Sequence, residues 1–312
     1  MLAVLVAGTM AVAQATPQAQ SGAQTQSPAS APGASSGKAQ TPSSAATGHK
    51  VLQAKSQDEM KAYQDASSKT DPAQMEAAAN AFAAKYPNSE LKGALYIRAM
   101  NLYGQANNSD KVIEMGRKAI AADPTNPVPL VQVASALAEG TRDTDMDRDQ
   151  RLAEAAKDAQ AAIDNIDALL VPPGAPPDRV AAVKASIVTM AYDTLGMVNL
   201  DKKDYAGAEQ QLQKAVEASK AQPEAVVYLR LSVAQDQLKK YPQALESANK
   251  AEQYAPPGSA AQNLAKQQQV RLQKLMAGGA PAGASGTTPT ASAPSTAPAQ
   301  APPPTPPNTP PH

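Results

Sequence analysis

Tyr192-Asp193-Thr194-Leu195-Gly196 stands 36 residues before Tyr228-Leu229-Arg230-Leu231-Ser232. At the same spacing Tyr205-Ala206-Gly207-Ala208 matches Tyr241-Pro242-Gln243-Ala244, and Lys214-Ala215 matches Lys250-Ala251. So many agreements at one ungapped spacing mark an internal repeat. The apolar period inside each unit is helical. Ala191, Tyr192, Leu195 and Val198 share one face of a first helix, and Tyr205, Ala208, Leu212, Ala215 and Val216 share one face of a second. Asp201-Lys202-Lys203-Asp204 is a short polar turn between them. A lone helix pair cannot cover its apolar face, so the units must stack.

The pattern resembles the tetratricopeptide repeat family, whose unit of about 34 residues carries aromatic, Leu-Gly, Tyr, Ala and closing Pro positions. Tyr192, Leu195, Gly196, Ala208, Leu212 and Ala215 match one copy, and Tyr228, Leu231, Ser232, Ala244, Ala248, Ala251 and Pro256 match the next. Earlier copies run Tyr96, Ala99, Tyr103, Val112, Ala119 and Pro124, and end Phe82-Ala83-Ala84-Lys85-Tyr86-Pro87-Asn88-Ser89. The last of these endings looks like repeats of bacterial envelope-assembly proteins. Asn199 and Gln235 depart from the family's Tyr, and the longer spacing places extra residues near Ala221-Gln222-Pro223. The expected fold is all-α: an α-solenoid of about five stacked helix-turn-helix repeats with a C-terminal capping helix, flanked by disordered tails.

Working outward gives units at about 56–88, 92–125, 126–172, 178–222 and 223–257, with the cap helix at 259–276. In the irregular third unit a helix runs from Pro127 to Ala138 with Asn126 as its cap. A second runs from Asp147 to Leu170, beyond an inserted loop from Gly140 to Asp147. Pro172 to Pro177 breaks the chain, and Asp178 caps a long helix towards Leu200. Ser259 with Gln262 forms a capping box for the last helix.

The repeat region carries nearly all the charge. The chain has 312 residues with 28 basic and 28 acidic side chains, yet residues 1–50 contain only Lys38 and Lys50, and 277–312 contain neither sign. The ends therefore cannot bury a core. Residues 1–15 read as a signal peptide, a short apolar run followed by Ala11-Val12-Ala13, too short for the roughly 20 residues of a spanning helix. An untargeted flexible start is the alternative. Residues 16–52 read as an Ala/Gln/Ser/Pro linker. The Pro/Ala/Thr-rich tail from 277 to 312, with its run Pro302-Pro303-Pro304, favours polyproline II and suits a spacer, a ligand for a proline-reading domain, or contact with cell-wall polymer.

Chemistry finds little footing. The chain has no Cys, and its two histidines, His49 and His312, lie in the low-complexity ends. Thiol chemistry and thiolate or imidazole metal sites are thereby excluded from the core, so no cofactor and no catalytic activity are expected. Balanced charge argues against a nucleic-acid partner. Asp143, Asp145, Asp147 and Asp149, with Glu154 beyond, approach calcium-loop spacing, but Arg148 stands where the sharp turn needs Gly. The alternative is a solvated loop with Asp147 as helix N-cap and Gln150 reaching back.

By its resemblance to the family, the array binds peptide on a concave face lined by first helices. The residues expected there are Ala94, Ile97 and Asn101, then Met190, Asp193 and Met197, then Val226, Leu229 and Val233. Ile97, Asp193 and Leu229 fill places where a carboxylate clamp would need Lys, so an apolar groove for an amphipathic helix fits better. Packing against neighbouring units is the alternative for each. Tyr96, Ala119, Tyr192, Leu195, Gly196, Ala208, Ala215, Tyr228, Leu231, Ala244 and Ala251 hold the pairs together. The leading expectation is an exported periplasmic or envelope adaptor for an unidentified protein or peptide. A structural spacer tethered through its tail is the second, and an envelope-associated hydrolase the third.

Overall fold

A computed structural model describes residues 52–172 and 174–278. Among them eleven α-helices follow one another with no strand: α1 (Gln57–Ser67), α2 (Pro72–Lys85), α3 (Leu91–Gln105), α4 (Ser109–Ala122), α5 (Pro127–Gly140), α6 (Arg148–Asp164), α7 (Pro177–Asp201), α8 (Tyr205–Ala218), α9 (Ala225–Gln237), α10 (Tyr241–Tyr254) and α11 (Ala260–Gly278). Each odd helix pairs with the even helix after it, and α11 packs on α9 and α10. First helices also meet one another, α1 with α3, α5 with α7, α7 with α9 and α9 with α11. Successive second helices touch slightly at most. The first helices thus form the inner layer of a stacked α-solenoid.

The turn inside each pair is written locally. Asn107, Lys203 and Lys239 take the left-handed conformation, with φ of 54°, 60° and 59°. Each is followed by a residue whose N–H returns to a carbonyl five positions back: Asn108 to Tyr103 at 3.0 Å, Asp204 to Asn199 at 2.8 Å, Lys240 to Gln235 at 2.9 Å. That closure satisfies carbonyls orphaned at the helix end. Asn108 and Asp204 then cap the second helix through their side chains, accepting from Lys111 N at 3.1 Å and Gly207 N at 3.0 Å. Lys240 makes no such cap.

Several ends differ from expectation. The helix expected to reach Leu170 stops at Asp164, where Asn165 turns its side-chain amide back onto Ala161 O at 2.8 Å, and a short 3-10 turn follows at Ile166–Ala168. Asp147 precedes α6 but accepts no cap hydrogen bond. The long helix is entered through Pro176 and starts at Pro177, so Asp178 lies in its first turn rather than before it. Ser259 caps Gln262 N at 3.2 Å, but Gln262 reciprocates to Gly258 N at 2.9 Å. Leu52, placed in the linker by its neighbours, packs half-buried against the first core cluster with Ala54. α11 continues to Gly278, two residues into the stretch assigned to the tail. The leader, the rest of the linker and the Pro-rich run lie outside the described residues.

Candidate functional site

The repeat shows itself as recurring contacts. Lys118 lies over the Tyr96 ring at 5.8 Å, Lys214 over Tyr192 at 5.4 Å, and Lys250 over Tyr228 at 5.8 Å. In every case the lysine follows its tyrosine by 22 residues and reaches it from the second helix. The next residue in each, Ala119, Ala215 or Ala251, is at most 1% exposed. The left-handed turn residue always stands 11 positions after the tyrosine.

A second contact explains the small residues. Four positions after the tyrosine the first helix meets the second helix 16 residues on, in the pairs Met100·Gly116 and Gly196·Leu212, and the corresponding positions of the next unit are Ser232 and Ala248. A methyl on Gly116 would lie 3.1 Å from Met100 Sδ and 2.2 Å from Val133 Cγ2, and one on Gly196 would lie 2.6 Å from Leu212 Cγ. Where one side is large the other is glycine. In the third pair both are small, and Ser232 Oγ donates to the α10 backbone at Ala244 O, 2.8 Å away. Ala208 and Ala244 are wholly buried beside these crossings, as is Leu212, and Leu195 and Leu231 complete the apolar seams.

The fold is a tetratricopeptide-like helical repeat. No protein-family model matches the chain, and no curated protein does either. Among solved structures, a MamA protein is similar over 59% of this chain and 88% of its own, at 17% identity and a TM-score of 0.38. MamA from Desulfovibrio magneticus RS-1 is similar over 61% and 97%, at 18% identity and a TM-score of 0.35. Acl4, the assembly chaperone of RpL4, is similar over 70% and 98%, at 11% identity and a TM-score of 0.36. Likenesses this loose add nothing to the repeat geometry of the chain itself.

The expected groove residues divide. Ala94, Ile97, Met190, Met197, Val226 and Val233 are half-buried, and Asn101 is exposed. Ile97, Met190 and Met197 also pack against core clusters beneath them. Leu229 does not face a groove. It is 7% exposed and packs with Tyr228, Ala251 and Ala265, because α11 covers that side of α9.

Asp193 belongs to an ionic cluster that spans three first helices. Arg230 on α9 pairs with Asp193 Oδ2 on α7, and its second terminal nitrogen stands 4.0 Å from Glu139 Oε1 on α5. Both partners of the first pair have side chains 15% exposed. The other Asp193 oxygen is buried and accepts no hydrogen bond among the described residues. Burial pushes the Asp193 carboxyl above the usual carboxylate range against the pull of Arg230. Partial desolvation tends the same way at Glu139, whose side chain is nonetheless 47% exposed, and at Glu224, exposed at the N-cap of α9. Sequence reading singled out Asp193 but neither Arg230 nor Glu139, whose separation along the chain leaves no local signal.

The acidic loop is not drawn into a calcium site. Arg148 pairs with Asp143 at 3.3 Å and with Asp149 at 3.2 Å, and Asp145 Oδ2 accepts from Arg142 N at 2.9 Å. Glu154 turns away and holds the Arg117 guanidinium in a two-point pair at 2.8 and 2.7 Å. Among the described residues no three acidic or histidine side chains are arranged to hold a metal ion. No described helix is long and apolar enough to cross a membrane.

Proposed function

We propose that the protein is a non-catalytic adaptor, exported to the cell envelope, that holds an apolar segment of another protein along its inner layer of first helices. The observation that carries this reading is the set of half-buried Ile97 on α3, Met190 and Met197 on α7, and Val226 and Val233 on α9, all first helices, on a chain without Cys and without His in its core. Methionines on such a surface adapt to varied partners. Export is supported by the apolar run at residues 1–13, which lies outside the described residues.

The test uses Val226→Asp/Val233→Asp, since Leu229 is buried and its substitution would confound binding with folding. Wild-type protein is expected to capture a discrete envelope protein that the variant loses while its helical melt is unchanged. Equal capture by both removes the inner layer as the binding face. Fractionation with N-terminal sequencing is expected to find a mature chain beginning near Gln14 or Thr16. An intact Met1 in the cytoplasmic fraction would reject export.

A further inference from the structure

The inserted loop between α5 and α6 gives no residue to the core clusters beside it, yet it is firmly held. Arg148 pairs with Asp143 and Asp149 and donates to the Asp201 carbonyl at the end of α7. Two successive turns close through Asp145 N to Arg142 O at 3.1 Å and Arg148 N to Asp145 O at 3.2 Å, and Arg151 Nε donates to the Thr141 hydroxyl at 3.1 Å. Within this loop Met146 stands wholly in solvent, the most exposed of the large apolar side chains among the described residues. Asp143, Asp147 and Asp149 are exposed with it, and two arginines against four aspartates leave residues 142–149 with a charge of −2. A stiff loop that breaks the repeat and holds a large apolar side chain in water, ringed by one sign of charge, has the form of a binding anchor.

A surface complementary to it lies on α11. That helix carries Lys266, Arg271 and Lys274 and no acidic residue. With Gln267 and Val270 these three line a shallow furrow of about 420 Å³ on its exposed face. Val270 is half exposed there, and the alkyl stems of the lysines extend the apolar surface beside it. Lys266 has Glu252 at 3.6 Å and Arg271 pairs with Asp236, whereas Lys274 has no ionic partner among the described residues. We propose that Met146 of one copy of this chain seats in the α11 furrow of a second copy, its aspartates facing the lysines of the rim. The pairs α7·α8 and α9·α10 separate the loop from the α11 of its own chain, so the contact runs between molecules. Each copy offers one anchor and one furrow. Copies therefore join head to tail, in a ring where the rotation closes and in an open chain where it does not. One loop on one helix is a small contact, so the association is weak, concentration-dependent and sensitive to salt. It uses neither the inner layer nor its groove and stands or falls separately from the adaptor reading.

Sedimentation equilibrium of the full chain tests it. The average mass of wild type is expected to rise with protein concentration, and to fall back towards the monomer as salt is raised from about 50 mM to about 500 mM. Met146→Asp and Val270→Asp change exposed positions and are expected to melt as wild type does. Each is expected to weaken self-association by about tenfold or more. Mixed together, the two variants are expected to recover a 1:1 dimer and nothing larger, since the first keeps its furrow and the second keeps its loop. A wild type that stays monomeric throughout, association that strengthens with salt, variants that associate as well as wild type, or a mixture that stays monomeric overturns the proposal.

Discussion

Gly196→Ala isolates the contact that defines the repeat. In an exposed helix interior this change stabilises by about 1 kcal/mol, because glycine is the poorer helix former. Here the added methyl would sit 2.6 Å from Leu212 Cγ and 2.7 Å from Leu212 Cδ2. Leu212 is fully buried and cannot swing aside. Overpacking of this kind costs about 1–3 kcal/mol, so the net expectation is a loss of about 1 kcal/mol or more. Leu212→Ala alone leaves a cavity and costs about 2–5 kcal/mol. In that background Gly196→Ala should reverse sign and stabilise by about 1–2 kcal/mol, from helix propensity plus one buried methyl. The double variant then resembles the Ser232·Ala248 crossing of the next unit. Urea unfolding of the four proteins gives a coupling of about 2 kcal/mol or more, beyond the few tenths expected of independent sites. A Gly196→Ala protein that is more stable than wild type, with additive effects in the double variant, would refute the claim that α7 and α8 cross closely here.

Lys240→Asn gives α10 the side-chain cap that Asp204 gives α8, and after losing the pair with Glu209 at 2.6 Å it is expected to gain about 0.5–1 kcal/mol in urea unfolding. Tyr103→Phe removes the hydroxyl that donates to Glu76 Oε2 at 2.6 Å and ties unit two to unit one. That hydrogen bond and then Lys111 hold Glu76 below its ordinary range, so its stabilisation is present above that range and lost as pH falls through the lowered value. The cost is expected at about 1–3 kcal/mol at pH 7 and smaller at pH 3. Asp236 on α9, with a side chain 4% exposed, pairs with Arg271 and accepts from Gln268 at 3.2 Å, both on α11. Arg271→Ala/Gln268→Ala is expected to speed hydrogen exchange in α11 well before α3 to α8. Uniform loosening would show that the cap is not a separate unit.

The fold was legible because its determinants are local and recur. Tyr192, Lys214 and Ala215 meet within one helix pair, and 36 residues on the same three types meet again, so alignment of the chain with itself finds them. Turn residues were legible as a polar break, but not their geometry: Lys203 and Lys239 take a conformation that lysine ordinarily avoids. The start at Pro177 is hard to place because a carboxylate is favoured in the first turn as well as at the cap, and the stop at Asp164 because apolar residues continue through Ile166, Leu169 and Leu170 into the 3-10 turn. The third unit, with α6 following an inserted loop, offers no second copy to align against.

The inner surface is less legible for a physical reason. A first helix presents one face to its own partner, one to the preceding pair and one inward, and the sequence period fixes only that a residue is apolar. Leu229 and Val226 look alike on that basis, yet α11 covers the first and leaves the second half-buried. Charge contacts across the inner layer are harder still. Arg230 meets Asp193 at close to one repeat length and Glu139 at between two and three times that, the second across an insertion that shifts the register. What the repeat cannot encode is therefore what differs between units. Asp193 has Arg230 opposite it, whereas Leu229, at its equivalent position, lies beneath a cap helix. Specificity on this inner layer must come from such departures, since the shared positions are consumed in holding the helices together.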